Sequence, residues 1–142
     1  MIVYLDTSAF VPLLVGEPGT AQCRDLWEAA DSVVCTRLLY VEASAALARA
    51  NRAGRLSARA HAVALDLRDD LWASVAIVHV DESLMARAAV VSRVYRLRGY
   101  DAVHCAAAEL VNEPQLVAAS GDADLLSAWR ALGLATYSTA AA

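Results

Sequence analysis

The chain is 142 residues long, 58% hydrophobic, and carries a formal charge of −4. That length accommodates one domain with its own core, and the composition excludes a disordered chain. No apolar run reaches membrane-spanning length, because Asp6, Pro12, Arg37 and Glu42 interrupt the longest candidates.

The predicted elements alternate. A strand at 2–5 is followed by a helix at 8–15, and Pro18 introduces a second helix at 19–30. A strand at 32–35 leads into a helix at 37–52 that stops near Gly54. Ser57 is a good N-cap for a helix at 57–72. Next come a strand at 75–80 and a helix at 83–98 ending at Gly99. A helix at 101–111 stops before Pro114, and a strand at 116–119 follows. A helix at 122–132 ends at Gly133, and a strand at 134–137 closes the series. The strands are short and apolar, as in a parallel sheet covered on both faces. The expected fold is therefore α/β: a single domain over 1–142, with a central parallel sheet of about five strands flanked by helices. Such sheets bind ligands beyond the carboxyl ends of their strands.

Four acids fall where that rule directs attention. Asp6 follows the first strand and Asp122 follows the strand at 116–119. Each is either an N-cap or a ligand. Thr7, Ser8 and Ser120 stand nearby to cap in their place. Glu42 shares a helix face with Leu38, Leu39, Ala45 and Ala46, so its carboxylate lies on an apolar stripe and needs a partner. That partner is an arginine or a metal ion. Asp101 opens a helix whose next residues are small and apolar on nearly every side, which places the acid at the mouth of the interior. His104, one turn on, reads as a hydrogen-bonded core residue and not as a ligand.

If these acids converge, each carboxylate pair at ~5 Å repels by roughly 3 kcal/mol in an effective dielectric near 20. Bound cations or protons must offset that. Oxygen ligands without sulfur or imidazole favour Mg²⁺ or Mn²⁺. Two such ions ~4 Å apart suit in-line hydrolysis of a phosphodiester. The net charge is not the usual footprint of a nucleic-acid binder. However, all twelve basic residues are arginines, grouped at Arg49, Arg52, Arg55 and Arg59 and at Arg93, Arg96 and Arg98. These are either phosphate forks or solvated helix faces.

Four segments together resemble PIN-domain nucleases, and more closely the VapC toxins of bacterial toxin–antitoxin pairs. They are Met1-Ile2-Val3-Tyr4-Leu5-Asp6-Thr7-Ser8-Ala9, the helical Glu42, Gly99-Tyr100-Asp101-Ala102-Val103-His104-Cys105-Ala106-Ala107-Ala108, and Ser120-Gly121-Asp122-Ala123-Asp124. The resemblance spans nearly the whole chain in order and spacing. It implies an endoribonuclease that uses Mg²⁺ or Mn²⁺ and cuts a structured RNA such as a transfer or ribosomal RNA. It also implies a homodimer silenced by a VapB-type antitoxin. Matched position by position, the catalytic acids are Asp6, Glu42, Asp101 and Asp122. Asp6, Asp101 and Asp122 are the implied metal ligands, with Glu42 and Asp124 as further candidates, and Thr7 and Ser120 as supporting hydroxyls. Gly121 departs from the pattern, where a bulkier residue is common, and implies a looser loop.

Two other classes use similar parts. Phosphatase-like α/β domains also place an Asp after the first strand with Mg²⁺, but they need a lysine, and this chain has none. A PIN-like domain that binds RNA or protein without cutting is the other alternative. Phe10, Val11, Leu14, Trp27 and Leu56 are candidates for a groove that takes an antitoxin helix. The first residues lack the basic start of a secretory signal, and Cys23, Cys35 and Cys105 form no CxxC pair. A cytoplasmic protein with reduced core thiols and no membrane association is expected.

Overall fold

Val3 and Tyr4 have no exposed surface, because their strand β1 (Ile2–Leu5) lies in the middle of the sheet. The computed structural model describes residues 1–141, so the last position of the expected 1–142 domain lies outside the described residues. On one side β1 pairs in parallel with β2 (Ser32–Thr36), which pairs with β3 (Val75–Val78). On the other side it pairs in parallel with β4 (Leu116–Ser120), which pairs with β5 (Ala135–Ser138). The sheet therefore has five parallel strands in the order β3-β2-β1-β4-β5. The chain winds outward from β1 to β3 and then returns to the far side of β1. The change of direction falls between β1 and β4, and it opens a crevice at their carboxyl ends.

Full burial on both faces holds only for the central strands. β5 is largely exposed, as an edge strand with one neighbour must be, so its expected burial is not met.

Among the described residues, seven α-helices accompany the strands. The expected helix at 8–15 is shorter and mixed. α1 (Thr7–Phe10) gives way to a 3-10 turn at Val11–Leu13, where Pro12 offers no amide hydrogen to continue the α ladder. α2 (Thr20–Ala29) and α3 (Leu38–Arg52) follow. The Ser57 hydroxyl caps α4 (Ala58–Trp72) by accepting from Ala60 N. α5 (Glu82–Tyr95) ends before 98, because Arg96 turns left-handed at φ 55° while its N–H bonds Ser92 O. Gly99 therefore does not stop α5. It opens α6 (Gly99–Leu110), and Asp101 lies inside the first turn of α6 and is not its cap. α7 (Ala123–Ala131) is the last helix.

One hydrophobic cluster runs through the described residues. Residues 102–108 of α6 are all buried, and their small side chains let the helix lie close to the sheet. Trp129 of α7 is fully buried. Its ring stands edge-on to Tyr4 at 5.9 Å between centroids, and its Nε1 donates to Cys105 O at 3.4 Å. Cys23, Cys35 and Cys105 are buried free thiols. Among the described residues no helix is long and apolar enough to cross a membrane.

Candidate active site

Asp6 leaves the end of β1 directly into the crevice. Its N–H reaches across to Ala119 O of β4 at 3.2 Å. The side chain is 3% exposed, and both oxygens are engaged. Oδ1 accepts from Ser8 Oγ at 2.7 Å and from Ala9 N at 3.1 Å, and Oδ2 accepts from Ser120 Oγ at 2.8 Å. Asp6 is thus the N-cap of α1, and so the cap expected from Thr7 or Ser8 is not needed. Capping leaves lone pairs over, since a carboxylate has about four. Burial raises the Asp6 carboxyl above its ordinary range, opposed by the charge of His104 and the bonds from Ser8, Ser120 and Ala9.

Asp122 is also a cap. Its Oδ1 accepts from Asp124 N at 2.8 Å and Leu125 N at 3.0 Å. The loop before it is tied down, against the looser arrangement expected from Gly121. Gly121 N donates to Ser8 Oγ at 2.8 Å and Asp122 N donates to Ser120 Oγ at 2.9 Å. Ser120 and Ser8 thereby link Asp6 to the Asp122 loop. Ser8 had no expected role beyond capping, because its reach across to β4 depends on strand order.

Glu42 sits beside the buried stripe of α3, which is Leu39, Ala43, Leu47 and Ala50. Its side chain is 21% exposed, so it lies at the edge of the apolar stripe and not within it. Its partner is not an arginine: His104 Nε2 donates to Glu42 Oε1 at 2.8 Å. His104 is 1% exposed, and its Nδ1 lies 2.9 Å from Tyr4 Oη. Burial alone would depress the imidazolium. Contacts with Cys35 and Glu42, and the nearby Asp6 charge, outweigh it and push His104 up to about 10. Asp101, 22% exposed, is paired with Arg98 Nε at 3.3 Å.

A cleft of about 480 Å³ gathers these groups. Asp6, Glu42, Asp101 and Asp122 all line it, with Thr7, Ser8, Arg49, Arg98, Tyr100 and His104. Asp124 is exposed and is not among the lining residues. Thr7 Oγ1 stands 3.5 Å from His104 Nε2. Among the described residues, no three His, Cys, Asp or Glu side chains already stand close enough together to close on a metal ion. The donor set itself is all carboxylate, which suits Mg²⁺ or Mn²⁺. Glu42, Asp101 and Asp122 are part-exposed on the cleft wall.

The family model for the PIN domain matches residues 3–128. The chain belongs to the PIN-domain family. A relative within it, Ribonuclease VapC45 of Mycobacterium tuberculosis, is 39% identical over 132 residues, covering 93% of this chain and 92% of its own length. This PIN domain therefore falls among the VapC-type members. Its fold is shared with PAE2754 from Pyrobaculum aerophilum, at a TM-score of 0.71 and 21% identity, covering 96% of this chain and 83% of that one. Mycobacterium tuberculosis VapC20, described as a toxin that cleaves the sarcin–ricin loop, matches at 0.65 and 22% identity, over 89% of this chain and 94% of its own.

His104, Arg49 and Arg98 line the cleft of this PIN domain but stand outside the expected set. His104 was assigned to the core, which is right about its burial and incomplete about its partner. The available signal was its spacing, three residues after Asp101 and so on the same helix face. Arg49 and Arg98 were legible only as members of arginine clusters.

Proposed function

We propose that this VapC-type PIN domain is a metal-dependent endoribonuclease, the toxin of a VapB–VapC pair, acting on a transfer or ribosomal RNA. The observation that carries the reading is that Asp6, Glu42, Asp101 and Asp122, far apart in sequence, line one cleft at the crevice between β1 and β4. Asp6, Asp101 and Asp122 would hold the cation, with Glu42 as a further ligand. The exposed Asp124, outside the cleft, is the weaker candidate. Mg²⁺ or Mn²⁺ bound there supplies charge neutralisation and an activated water for phosphodiester hydrolysis. Arg49 and Arg98 stand on the cleft wall where an RNA phosphate would enter, and a guanidinium forks a phosphate well. Ser8 and Ser120 orient Asp6 from both of its oxygens. The continuous hydrophobic cluster supports one PIN domain across the described residues. The free, buried Cys23, Cys35 and Cys105 support a reducing, cytoplasmic setting for it.

An antitoxin would act by covering the cleft. Phe10 and Leu14 are core residues, so the groove expected of them is reduced to Val11, Trp27 and Leu56, which are half-buried. Exposed Val90 and Val94 on α5 are candidates for the homodimer contact.

The test is cleavage of total transfer and ribosomal RNA by purified protein, with EDTA, Mg²⁺ or Mn²⁺, and the Asp6→Asn protein as control. Cleavage that needs metal and is lost in the control is expected. Cleavage that survives in both would overturn the reading. Metal-independent RNA binding with no cleavage would favour the alternative, a non-cutting PIN-like domain.

A further inference from the structure

Glu42 sits in the second turn of α3, and one side chain holds it. Its near neighbours on α3 that line the cleft, Val41, Ala45 and Ala46, donate nothing from their side chains. Arg49 is two turns away along the helix, roughly 10 Å. Arg98 is already paired with Asp101. Among the described residues, His104 Nε2 alone donates a hydrogen bond to the Glu42 carboxylate, at 2.8 Å. A carboxylate only accepts, so Nε2 carries a hydrogen whatever the charge on the ring. At the other end of the ring, Nδ1 meets Tyr4 Oη at 2.9 Å, and Tyr4 is itself clamped edge-on by Trp129. Both ring nitrogens are therefore fixed, and the ring cannot rotate without breaking a buried contact and a part-buried one.

We propose that His104 is the positioning residue for Glu42. It holds Oε1 and leaves Oε2 free to meet a cation, and Tyr4 holds the ring in turn. This rests on the reading of the cleft as a metal-dependent ribonuclease site. The line of contacts has a structural sense. Tyr4 lies two residues before Asp6 on β1, and His104 lies one turn after Asp101 on α6. The relay thus ties the α3 acid to the two elements that carry Asp6 and Asp101. Without it, Glu42 is a flexible side chain at the rim, and the order of the ligand set falls. A carboxylate or imidazole held by an outer partner loses roughly tenfold to a hundredfold in metal affinity or activity when that partner is removed.

The experiment measures Mn²⁺ binding by electron paramagnetic resonance titration, beside kcat and KM on one RNA substrate, in four single variants. His104→Gln places an amide nitrogen where Nε2 was and should keep most of the Mn²⁺ affinity and kcat. His104→Asn places its amide where Nδ1 was, and His104→Phe has no donor. Both should lose roughly tenfold to a hundredfold in Mn²⁺ affinity and kcat with KM for RNA near the parent's. Tyr4→Phe, which leaves the Glu42 bond in place, should lose less, in the same two readouts. In a Glu42→Gln background, His104→Phe should cost little more, because no acid is left to position. Melting curves accompany each variant. If His104→Phe does not fold, the contrast between Gln and Asn and the Tyr4→Phe result decide the matter. Equal losses in Gln, Asn and Phe, or losses undiminished in the Glu42→Gln background, would overturn the proposal in favour of a packing role. A parent protein that neither binds Mn²⁺ nor cuts RNA would instead overturn the ribonuclease reading, and the positioning role with it.

Discussion

Asp6→Asn exchanges a buried carboxylate for a neutral side chain of the same shape, and it separates capping from metal binding. The amide oxygen can still accept from Ala9 N and Ser8 Oγ, as Oδ1 does at 3.1 and 2.7 Å. The amide nitrogen can donate to Ser120 Oγ, which rotates to accept. Burial raises the Asp6 carboxyl even after those bonds are counted, so the folded, chelated protein holds a proton there more readily than the unfolded chain does. The sign follows: stability from this group is greatest below the ordinary aspartate value and is lost as pH climbs through the raised one. At neutral pH the charge is therefore a net cost to the metal-free fold. Its removal should leave stability unchanged or raise it by about 1 kcal/mol, because the relief of a buried charge is partly offset by trading charge-assisted bonds for neutral ones. For 142 residues, an unfolding entropy of about 0.3 kcal/mol per kelvin makes 1 kcal/mol worth about 3 °C. Metal should reverse the ranking. At a hundredfold excess over Kd, Mn²⁺ adds about 2.7 kcal/mol to the parent, or about 9 °C. The asparagine protein should gain less than half of that. The assay is a thermal melt of both proteins at neutral pH, first in EDTA and then in excess Mn²⁺. An Asp6→Asn protein that melts several degrees lower in EDTA, yet gains the parent's full Mn²⁺ shift, would show that the carboxylate serves only as a helix cap.

Three further outcomes follow from particular contacts. Asp122→Asn should abolish RNA cleavage while Asp124→Asn retains most of it, because Asp122 lines the cleft and Asp124 is exposed outside it; equal losses in initial-rate assays would make both of them ligands. Arg49→Ala and Arg98→Ala should raise KM for RNA and flatten its dependence on salt by about one phosphate contact each, with little change in melting temperature, as read from rates across a salt series. Gly19→Ala should destabilise the fold by about 1–3 kcal/mol in urea titrations, since its Cβ would stand 2.4 Å from the backbone oxygen of Thr139 and force the C-terminal segment away from β4.

The elements were legible because each follows from a local pattern. Short apolar runs between helical stretches identified all five strands, and Ser57 announced the start of α4. Element ends were less legible where one residue type serves two roles. Gly99 looked like the stop of α5 and is the start of α6, because Arg96 takes the left-handed turn that a glycine usually takes. Asp6 and Asp122 read as either caps or ligands. They do cap, and the cleft they line leaves the second role open to the metal experiment.

The sequence by itself determined the alternation of strand and helix, the parallel sheet, and the placement of Asp6 and Asp122 just beyond strand ends. These depend on hydrophobic period and chain order, which are local. Only the tertiary structure decided that β4 returns beside β1, which brings Ser120 onto Asp6 and Gly121 onto Ser8 across more than a hundred residues. It likewise decided that Glu42 finds His104, and that His104 finds Tyr4. No periodicity carries those pairings. They arise because a part-buried carboxylate and a buried imidazole and phenol must each find a partner, and which partner is within reach depends on how α3 and α6 pack against the sheet.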